Sequence, residues 1–217
     1  MALWVLEALQ QAPSVTSVGL VGPASLKRDG VTVAPVTDTM FGNILQGLST
    51  APDGSETVLF VTSDIPWITP DIIEAFIVQA PRDVDVVYPI IPKQTAETRF
   101  PGTKRTYVRL KEGVFTGGNL FLARAEAVPR LKERAETLLA HRKSPVTLAR
   151  DVGLGLLIRL LTGRLSAAQA ETRVGGLLGI TGRALIFPYA EAGVDVDKPE
   201  DLELAERELG QSEWDIS

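Results

Sequence analysis

Helical segments are marked in this chain by apolar residues that recur every three or four positions. Among the first twelve residues, Leu3, Leu6 and Leu9 follow this spacing, and Pro13 ends it. A later helix begins at Thr69, which is suited to cap it because a proline occupies the next position and an aspartate the first turn. The helices predicted in this way cover residues 2–12, 39–51, 69–80 and 197–209.

Apolar runs rich in valine lie between these helices and predict strands. The runs are bounded by glycine, proline or aspartate, and they suit strands that helices cover on both faces. The predicted strands are residues 17–23, 31–36, 57–64, 83–91, 113–124 and 183–189. Strands that alternate with helices indicate an α/β fold with a mainly parallel central sheet.

A helical insert is predicted near residues 125–178, where the pattern is helical and the preceding alternation stops. Within it, residues 153–165 carry apolar side chains on most faces, so this helix should be buried or should cover an apolar surface. Packing in the protein's own core, a homodimer interface and shelter for a lipid-like acceptor all remain open. We interpret residues 1–217 as a single domain that includes the insert.

Composition limits the chemistry available to the protein. The 217 residues contain no cysteine and a single histidine, His141, so disulfides and thiolate metal sites are excluded and histidine-based zinc or triad chemistry has little room. A net charge of −5 argues against general binding of nucleic acid. Without a signal-peptide pattern or an apolar run of about 20 residues, a cytoplasmic protein with no transmembrane segment is expected.

Asp64 follows the apolar run at 57–63 directly and is predicted to lie at the carboxyl end of a strand. Such ends line the ligand crevice of open parallel sheets. Ile65 and Pro66 restrict the backbone that follows, so the carboxylate cannot easily fold back to cap its own strand. Asp64 is therefore suited to hold a hard cation such as Mg²⁺. The alternative is a turn or the cap of the next helix, although Thr69 is already available as that cap.

A second group of acids lies near the other end of the chain, at Asp195 and Asp197. They alternate on a segment that is predicted to be extended, so they should point to opposite faces. Only one of them should then meet an ion that Asp64 holds. The alternatives are that Asp197 caps the last helix and that Asp195 is solvated.

Two stretches together resemble a known family. "VLFVTSDIPWITPDIIEAF" (58–76) resembles the metal-aspartate strand and following helix of the MobA-like nucleotidyltransferases, relatives of the molybdenum-cofactor guanylyltransferases, and "VDVDKPEDLELAEREL" (194–209) resembles their closing element. The resemblance covers residues 1–124 and 183–210. It implies a Rossmann-like, GT-A three-layer sandwich. The implied reaction is the magnesium-dependent transfer of a nucleoside monophosphate from a nucleoside triphosphate to a phosphorylated or similar anionic small molecule, with release of pyrophosphate.

The resemblance also assigns roles to residues. Asp64 matches the family's strand-end metal ligand, and Asp195 or Asp197 matches the acid of the closing motif. The remaining candidates contact the nucleotide or the acceptor: Asn43 for the base, Ser63 and Pro66 beside Asp64, and Gly117, Gly118 and Asn119 for the acceptor. A plain glycine bulge or turn is the alternative for the last three residues.

Basic residues are concentrated between residues 93 and 111, in a segment that we interpret as a mobile loop entering a strand. Such a loop is suited to clamp phosphates, with Lys104 and Arg105 as the preferred catalytic pair beside Asp64. The alternative is a solvated charged loop, which is the commoner explanation for such a run. The basic stretch "HRKSP" at 141–145 is assigned to the surface unless Lys143 points inward.

The chain departs from the family at its first residues. Members open with a strand and a loop of the form L-A-G-G-x-x-x-R-M-G, followed by a lysine, and this sequence has no such segment. Because that strand is central in these folds, its absence predicts a gap in the sheet. A shortened nucleotidyltransferase and a diverged member without triphosphate binding both remain open. Two other classes also remain: a GT-A glycosyltransferase and a non-catalytic module for nucleotide binding or protein interaction.

Overall fold

A computed structural model describes residues 1–132, 134 and 153–210 of the chain. Most of the predicted helices are present within a few residues of their expected bounds, and a further helical turn covers residues 128–132. Residues 141–145 and Lys143 lie outside the described residues, as does much of the predicted helical insert. The helices are α1 (Ala2–Gln11), α2 (Met40–Ser49), α3 (Pro70–Gln79), α4 (Lys93–Arg99), α5 (Leu154–Leu161), α6 (Ala167–Leu178) and α7 (Pro199–Leu209).

The strands of the described residues form two separate sheets. The smaller sheet contains β1 and β2 in parallel, and the larger one has the order β3-β7-β4-β6-β5, with β8 paired to β4. The bounds are β1 (Val18–Val21), β2 (Val31–Ala34), β3 (Thr57–Val61), β4 (Val86–Pro92), β5 (Val108–Leu110), β6 (Gly113–Gly117), β7 (Leu120–Arg124) and β8 (Gly182–Ile186).

The prediction of a mainly parallel central sheet is wrong for the larger sheet. Among the described strands, only the pairing of β4 with β8 is parallel there, and the other four pairings are antiparallel. The difference arises at residues 108–124, which form a hairpin of β5 and β6 and then continue into β7. Because a hairpin reverses the chain where a helical crossover would not, β7 enters antiparallel between β3 and β4. The α/β class itself is confirmed.

The described strands are divided between two sheets that no strand pairing joins. Among the described residues, β1 pairs with β2 alone and β3 pairs with β7 alone. Helix α2 lies against both sheets, and a Cβ atom added at Gly47 in this helix would lie 3.6 Å from Val21 of β1 and 3.5 Å from Phe60 of β3. A helix therefore connects the two sheets where strand pairing does not.

The main core lies between one face of the larger sheet and helices α1 and α3. Ile73 and Phe76 of α3 are fully buried there, and Leu59 and Val61 of β3 pack against the same cluster. Phe60 points to the opposite face, as alternation along a strand requires, and stacks on Phe121 with ring centroids 4.8 Å apart. Helices thus cover both faces of β3.

Threonine caps two helix starts, at Thr69 as predicted and also at Thr39. The Thr39 hydroxyl accepts a hydrogen bond from the Gly42 amide at 2.9 Å, and the Thr69 hydroxyl accepts one from the Ile72 amide at 3.3 Å. Since Thr69 caps α3, Asp64 is not the cap of that helix.

Two expectations for the second half differ from the structure. Residues 93–99 form helix α4, not a mobile loop, because Ala96 is buried beneath it and Arg99 pairs with Glu191 and Glu208 at 3.0 Å each. Helix α5 is not fully buried, since Ile158 and Leu161 are 52% and 78% exposed, and the alternative that it covers an apolar surface stays a prediction. Among the described helices, none combines the length and apolarity that a bilayer crossing would require.

Candidate functional site

Asp64 lies just beyond the end of β3, as the sequence predicts. The Thr62 hydroxyl donates a hydrogen bond to its carboxylate, and the Thr62 amide donates to the backbone carbonyl of Asn119 at 2.9 Å. Ile65 is completely buried and anchors the chain immediately after the acid. Asp64 itself is half-buried, so its carboxylate stays accessible at the edge of the sheet.

The second acidic segment reaches the same edge after β8. The Val196 amide donates a hydrogen bond to the backbone carbonyl of Asp64 at 2.9 Å. The Asn119 amide, in the bulge between β6 and β7, donates to the carbonyl of Ala192 at 2.8 Å. Since the Asn119 carbonyl also accepts from Thr62, one residue of the bulge holds both acidic segments through its backbone.

Asp64, Asp195 and Asp197 converge at this edge, where one carboxylate oxygen from each lies within 4.8 Å of the other two. Two oxygens on opposite sides of Mg²⁺ are about 4.2 Å apart when each bond is about 2.1 Å. A small contraction would therefore bring the three oxygens to coordinating distance. Asp64 and Asp195 are half-buried and Asp197 is exposed, and three such carboxylates are a donor set that suits a hard divalent cation.

Both downstream acids reach the cluster, which differs from the expectation that only one would do so. The expectation assumed a regular strand, but residues 194–197 form no ladder and turn directly into α7, so strict alternation does not apply. Asp197 is also not the cap of that helix. The Asp201 carboxylate accepts from the amides of Asp197 and Lys198 at 3.3 and 3.2 Å, so Asp201 holds the start of α7.

Arg105 lies against the cluster from the segment between α4 and β5. One of its terminal nitrogens forms an ion pair with the Asp195 carboxylate, and the other donates to the Asp195 backbone carbonyl at 3.0 Å. The side chain is only 12% exposed, and its Nε is buried with no hydrogen-bond partner among the described residues. Arg105 is thus the basic residue that the structure brings to the three acids.

The electrostatics of Arg105 reflect two opposing causes. Burial lowers the pKa of the guanidinium, while the negative charges of Asp201, Asp197 and Asp64 act in the opposite direction. Arginine keeps its proton in proteins even when its pKa is lowered, so the residue stays cationic. The site therefore places one fixed positive charge beside three negative ones.

The two glycines before Asn119 serve close packing. A Cβ atom at Gly117 would lie 2.2 Å from the Tyr88 hydroxyl oxygen, and one at Gly118 would lie 2.6 Å from a Pro89 side-chain carbon. The Tyr88 hydroxyl donates to the Gly118 carbonyl at 2.8 Å, and burial raises the pKa of this phenol. The structure thus shows a tightly packed glycine bulge, and acceptor contact at these residues stays a prediction.

The other predicted residues lie at various positions around the site. Asn43 uses its side-chain oxygen to accept from the Thr37 amide at 2.7 Å and the Thr37 hydroxyl at 2.9 Å, so that oxygen holds the loop before α2. Ser63 is exposed beside Asp64, and Pro66 is buried. Lys104 is exposed next to Arg105.

Sequence reasoning missed the residues that hold the acids in place through their backbone or hydroxyl groups. The resemblance gives Asn119 as an acceptor candidate, whereas in the structure its amide and carbonyl make the connecting bonds. No sequence pattern signals such a contact. Asp201 was discoverable, because an acid three residues after Lys198 fits the capping-box spacing at a helix start.

Comparisons with known proteins identify a related family and related structures. A family profile described as MobA-like NTP transferase domain matches residues 1–154. No curated protein matches the chain significantly. A solved structure described as a hypothetical transferase from Thermus thermophilus is similar at 43% identity and a TM-score of 0.85, with 93% of this chain and 85% of that chain covered.

More distant solved structures share the fold. A 4-diphosphocytidyl-2C-methyl-D-erythritol synthase from Anaerococcus prevotii aligns with a TM-score of 0.57 at 11% identity, covering 96% of this chain and 85% of that one. A CMP:2-keto-3-deoxy-manno-octonic acid synthetase in complex with CTP aligns with a TM-score of 0.57 at 12% identity, covering 95% and 86%. At these identities the likeness concerns the fold alone.

Proposed function

The chain belongs to the family described as MobA-like NTP transferase domain, and from this membership we propose that it is a magnesium-dependent nucleotidyltransferase. The proposed substrates are a nucleoside triphosphate and a phosphorylated or similarly anionic small molecule. The products are the nucleotide conjugate and pyrophosphate.

One observation carries this proposal: the cluster of Asp64, Asp195 and Asp197 within 4.8 Å at the end of β3. A cluster built from strand ends of one sheet is where ligands bind in α/β folds. The acids come from positions far apart in the chain, and a network of backbone hydrogen bonds holds their segments together. Such support is what a positioned metal site requires.

The three aspartates would hold Mg²⁺, which when bound neutralises triphosphate charge and polarises the phosphoryl group. The protein's own groups then position the substrates. The Arg105 fork presents two nitrogens in one plane, a geometry that matches phosphate oxygens, and Lys104 supplies a second cation from the exposed side of the same segment. Nucleotidyl transfer needs little more from a protein than alignment and charge neutralisation, so the reaction does not require a catalytic histidine.

The proposed reaction is a displacement at the α-phosphorus of the triphosphate. An oxygen of the acceptor forms a new bond to that phosphorus, while the bond from phosphorus to the oxygen bridging toward the β-phosphate breaks. The electron pair of the broken bond leaves with pyrophosphate. If the acceptor oxygen is already an ionised phosphate oxygen, no proton has to be removed, so acids and cations are sufficient for the reaction.

The proposed binding site of the acceptor is the bulge formed by residues 117–119. Gly117 is exposed, and the Asn119 side chain is half-buried with both a donor and an acceptor group. The amides of Gly118 and Asn119 already donate to Pro89 and Ala192, at 2.9 and 2.8 Å. Acceptor contact would therefore involve the Asn119 side chain and the surface of Gly117.

The proposal is tested by measuring pyrophosphate release from ATP, CTP, GTP and UTP in the presence of a panel of sugar phosphates and polyol phosphates. Magnesium-dependent release that needs both substrates is the expected result, and D64N supplies the negative control. CTP has first priority, because the two distant structural neighbours described above are named for cytidylyl chemistry. Release of a nucleoside diphosphate from a sugar nucleotide would identify a glycosyltransferase, and binding without turnover would identify a non-catalytic module.

A further inference from the structure

Arg105 makes an unusual two-point contact with one member of the aspartate cluster. It forms an ion pair with the Asp195 carboxylate and also donates to the Asp195 backbone carbonyl at 3.0 Å. Both partners are largely buried, with side chains 12% and 18% exposed. Because both groups have lost most of their hydration, each depends mainly on the other to neutralise its charge.

The backbone that carries Arg105 is anchored at its start. Phe100, which is 1% exposed, packs on Trp67 with ring centroids 4.9 Å apart, and the neighbouring Arg99 pairs with Glu191 and Glu208. Trp67 lies three residues after Asp64 in the chain. The segment that delivers Arg105 is therefore fixed to the same region as the acid-bearing strand end, while the guanidinium itself depends on its contact with Asp195.

The pairing of Arg105 is incomplete. Its Nε is buried and has no partner among the described residues. A guanidinium that donates from Nε and a terminal nitrogen together grips a phosphate or carboxylate bidentately. The structure thus contains a cation whose two terminal nitrogens contact Asp195 and whose Nε has no partner among the described residues.

We propose that Arg105 is the internal counter-ion of the aspartate cluster, and that it exchanges Asp195 for a phosphate oxygen when a divalent cation and a polyphosphate bind together. This inference rests on the proposed function. Without ligand, the arginine neutralises part of the cluster's charge and competes with a metal ion for Asp195. With ligand, the metal would neutralise the acids, and the guanidinium would release Asp195 and donate to the phosphate instead.

This exchange predicts effects of opposite sign at a single residue. In R105Q the competing charge is gone, so Mn²⁺ alone should bind more tightly, by about tenfold. With tripolyphosphate present, the same variant should bind the Mn²⁺ complex more weakly than the wild type, by about tenfold, because a charge-assisted contact is lost. A residue that only supports the fold would weaken both equilibria.

The experiment measures Mn²⁺ binding by electron paramagnetic resonance, with and without inorganic tripolyphosphate. This probe carries the polyphosphate group without a base, so the result does not depend on the nucleotide. R109Q is the matched control, since Arg109 is exposed on β5 and the substitution changes the net charge equally. Wild-type values in R109Q and opposite shifts in R105Q support the exchange.

R105K makes the test independent of the folding of R105Q. Lysine keeps the positive charge but lacks the planar fork, so Mn²⁺ alone should bind within about twofold of wild type while the tripolyphosphate complex stays weakened.

Unchanged binding of the complex in both variants would overturn the exchange and leave the proposed function intact. If no form of the protein binds Mn²⁺ with tripolyphosphate, both proposals fall. Tighter Mn²⁺ binding by R105Q without any polyphosphate binding would retain the counter-ion and reject the exchange and the transferase.

Discussion

Two carboxylates at opposite ends of the larger sheet have contrasting surroundings. Asp85, just before β4, accepts hydrogen bonds from the Thr181 amide at 2.8 Å, the Thr181 hydroxyl at 3.0 Å and Arg130 at 3.2 Å. Asp64, just after β3, lies beside two further aspartates, and Arg105 contacts one of these neighbours instead of Asp64 itself. Several donors therefore surround Asp85, whereas Asp64 has one hydroxyl donor, from Thr62, and two neighbouring charges of its own sign.

The difference separates an acid that stabilises the fold from acids that suit a ligand. The Thr181 amide is the main cause of the lowered pKa of Asp85, with the Thr181 hydroxyl and the charges of Arg130 and Arg124 acting the same way against burial. Asp85 thereby ties the start of β4 to the segment before β8. The three clustered acids share one buried arginine, so the protein itself stabilises their negative charge less than that of Asp85. Their remaining charge is available to a bound cation.

The largest expected effect is on catalysis. D64N replaces a charged metal ligand by a neutral amide, so the rate of magnesium-dependent pyrophosphate release should fall by about 100-fold or more. D85N removes the same charge from the far end of the sheet and should keep near wild-type activity. Equal losses of activity in the two variants would mean that the different surroundings of Asp64 and Asp85 have no bearing on catalysis.

The next effect is on stability, where D85N should be affected more than D64N. D85N removes the negative charge that pairs with Arg130 and one of the two oxygens that accept from Thr181 and Arg130. Its free energy of unfolding should therefore decrease by about 2 kcal/mol, as measured by urea denaturation. D64N should stay within about 0.5 kcal/mol of wild type, because removing one of three neighbouring charges also relieves repulsion. A larger destabilisation of D64N than of D85N would assign Asp64 a structural role.

Acid sensitivity sharpens the same comparison. The pKa of Asp85 is lowered from 3.8 in the folded state, so its contribution to stability is present above that value and is lost as the pH falls through the folded-state pKa. The stability difference between wild type and D85N should therefore be constant near neutral pH and shrink below about pH 4. Urea denaturation at pH 7, 5, 4 and 3 checks this trend. A difference that grows on acidification would reverse the assigned sign.

A smaller effect is expected at the helix next to Asp64. T69A removes the hydroxyl that caps α3 and should cost about 1 kcal/mol of stability. Activity should be largely retained, since Thr69 caps the helix and Asp64 takes no part in that cap. If T69A is neutral and D64N is destabilising, Asp64 has taken over the capping role.

Local features of this fold were predictable because their causes are local. The cap at Thr69, the apolar strand at 57–61 and the acid at its end all follow from neighbouring residues. Strand direction was not predictable in the same way. The antiparallel course of β7 depends on the hairpin at residues 108–117, and apolar periodicity reports neither chain reversal nor partner choice.

The site was partly predictable for the same reason. Residue type and position selected Asp64, Asp195, Asp197 and Arg105, but their mutual geometry depends on contacts across the chain. Arg105 and Asp195 are separated by 90 positions, and the backbone of Asn119 connects segments on either side of it. The sequence can identify chemically suitable groups, whereas only the packed structure shows that both downstream acids reach Asp64.

The central claim is that the cluster around Asp64 binds a divalent cation with a polyphosphate, while Asp85 does not. Water-proton relaxation with Mn²⁺ and CTP tests it most directly on the wild type, D64N and D85N. Enhanced relaxation in the wild type and D85N, with at least about a tenfold weaker complex in D64N, is the predicted result. Equal enhancement in all three proteins, or none in the wild type, would contradict the claim.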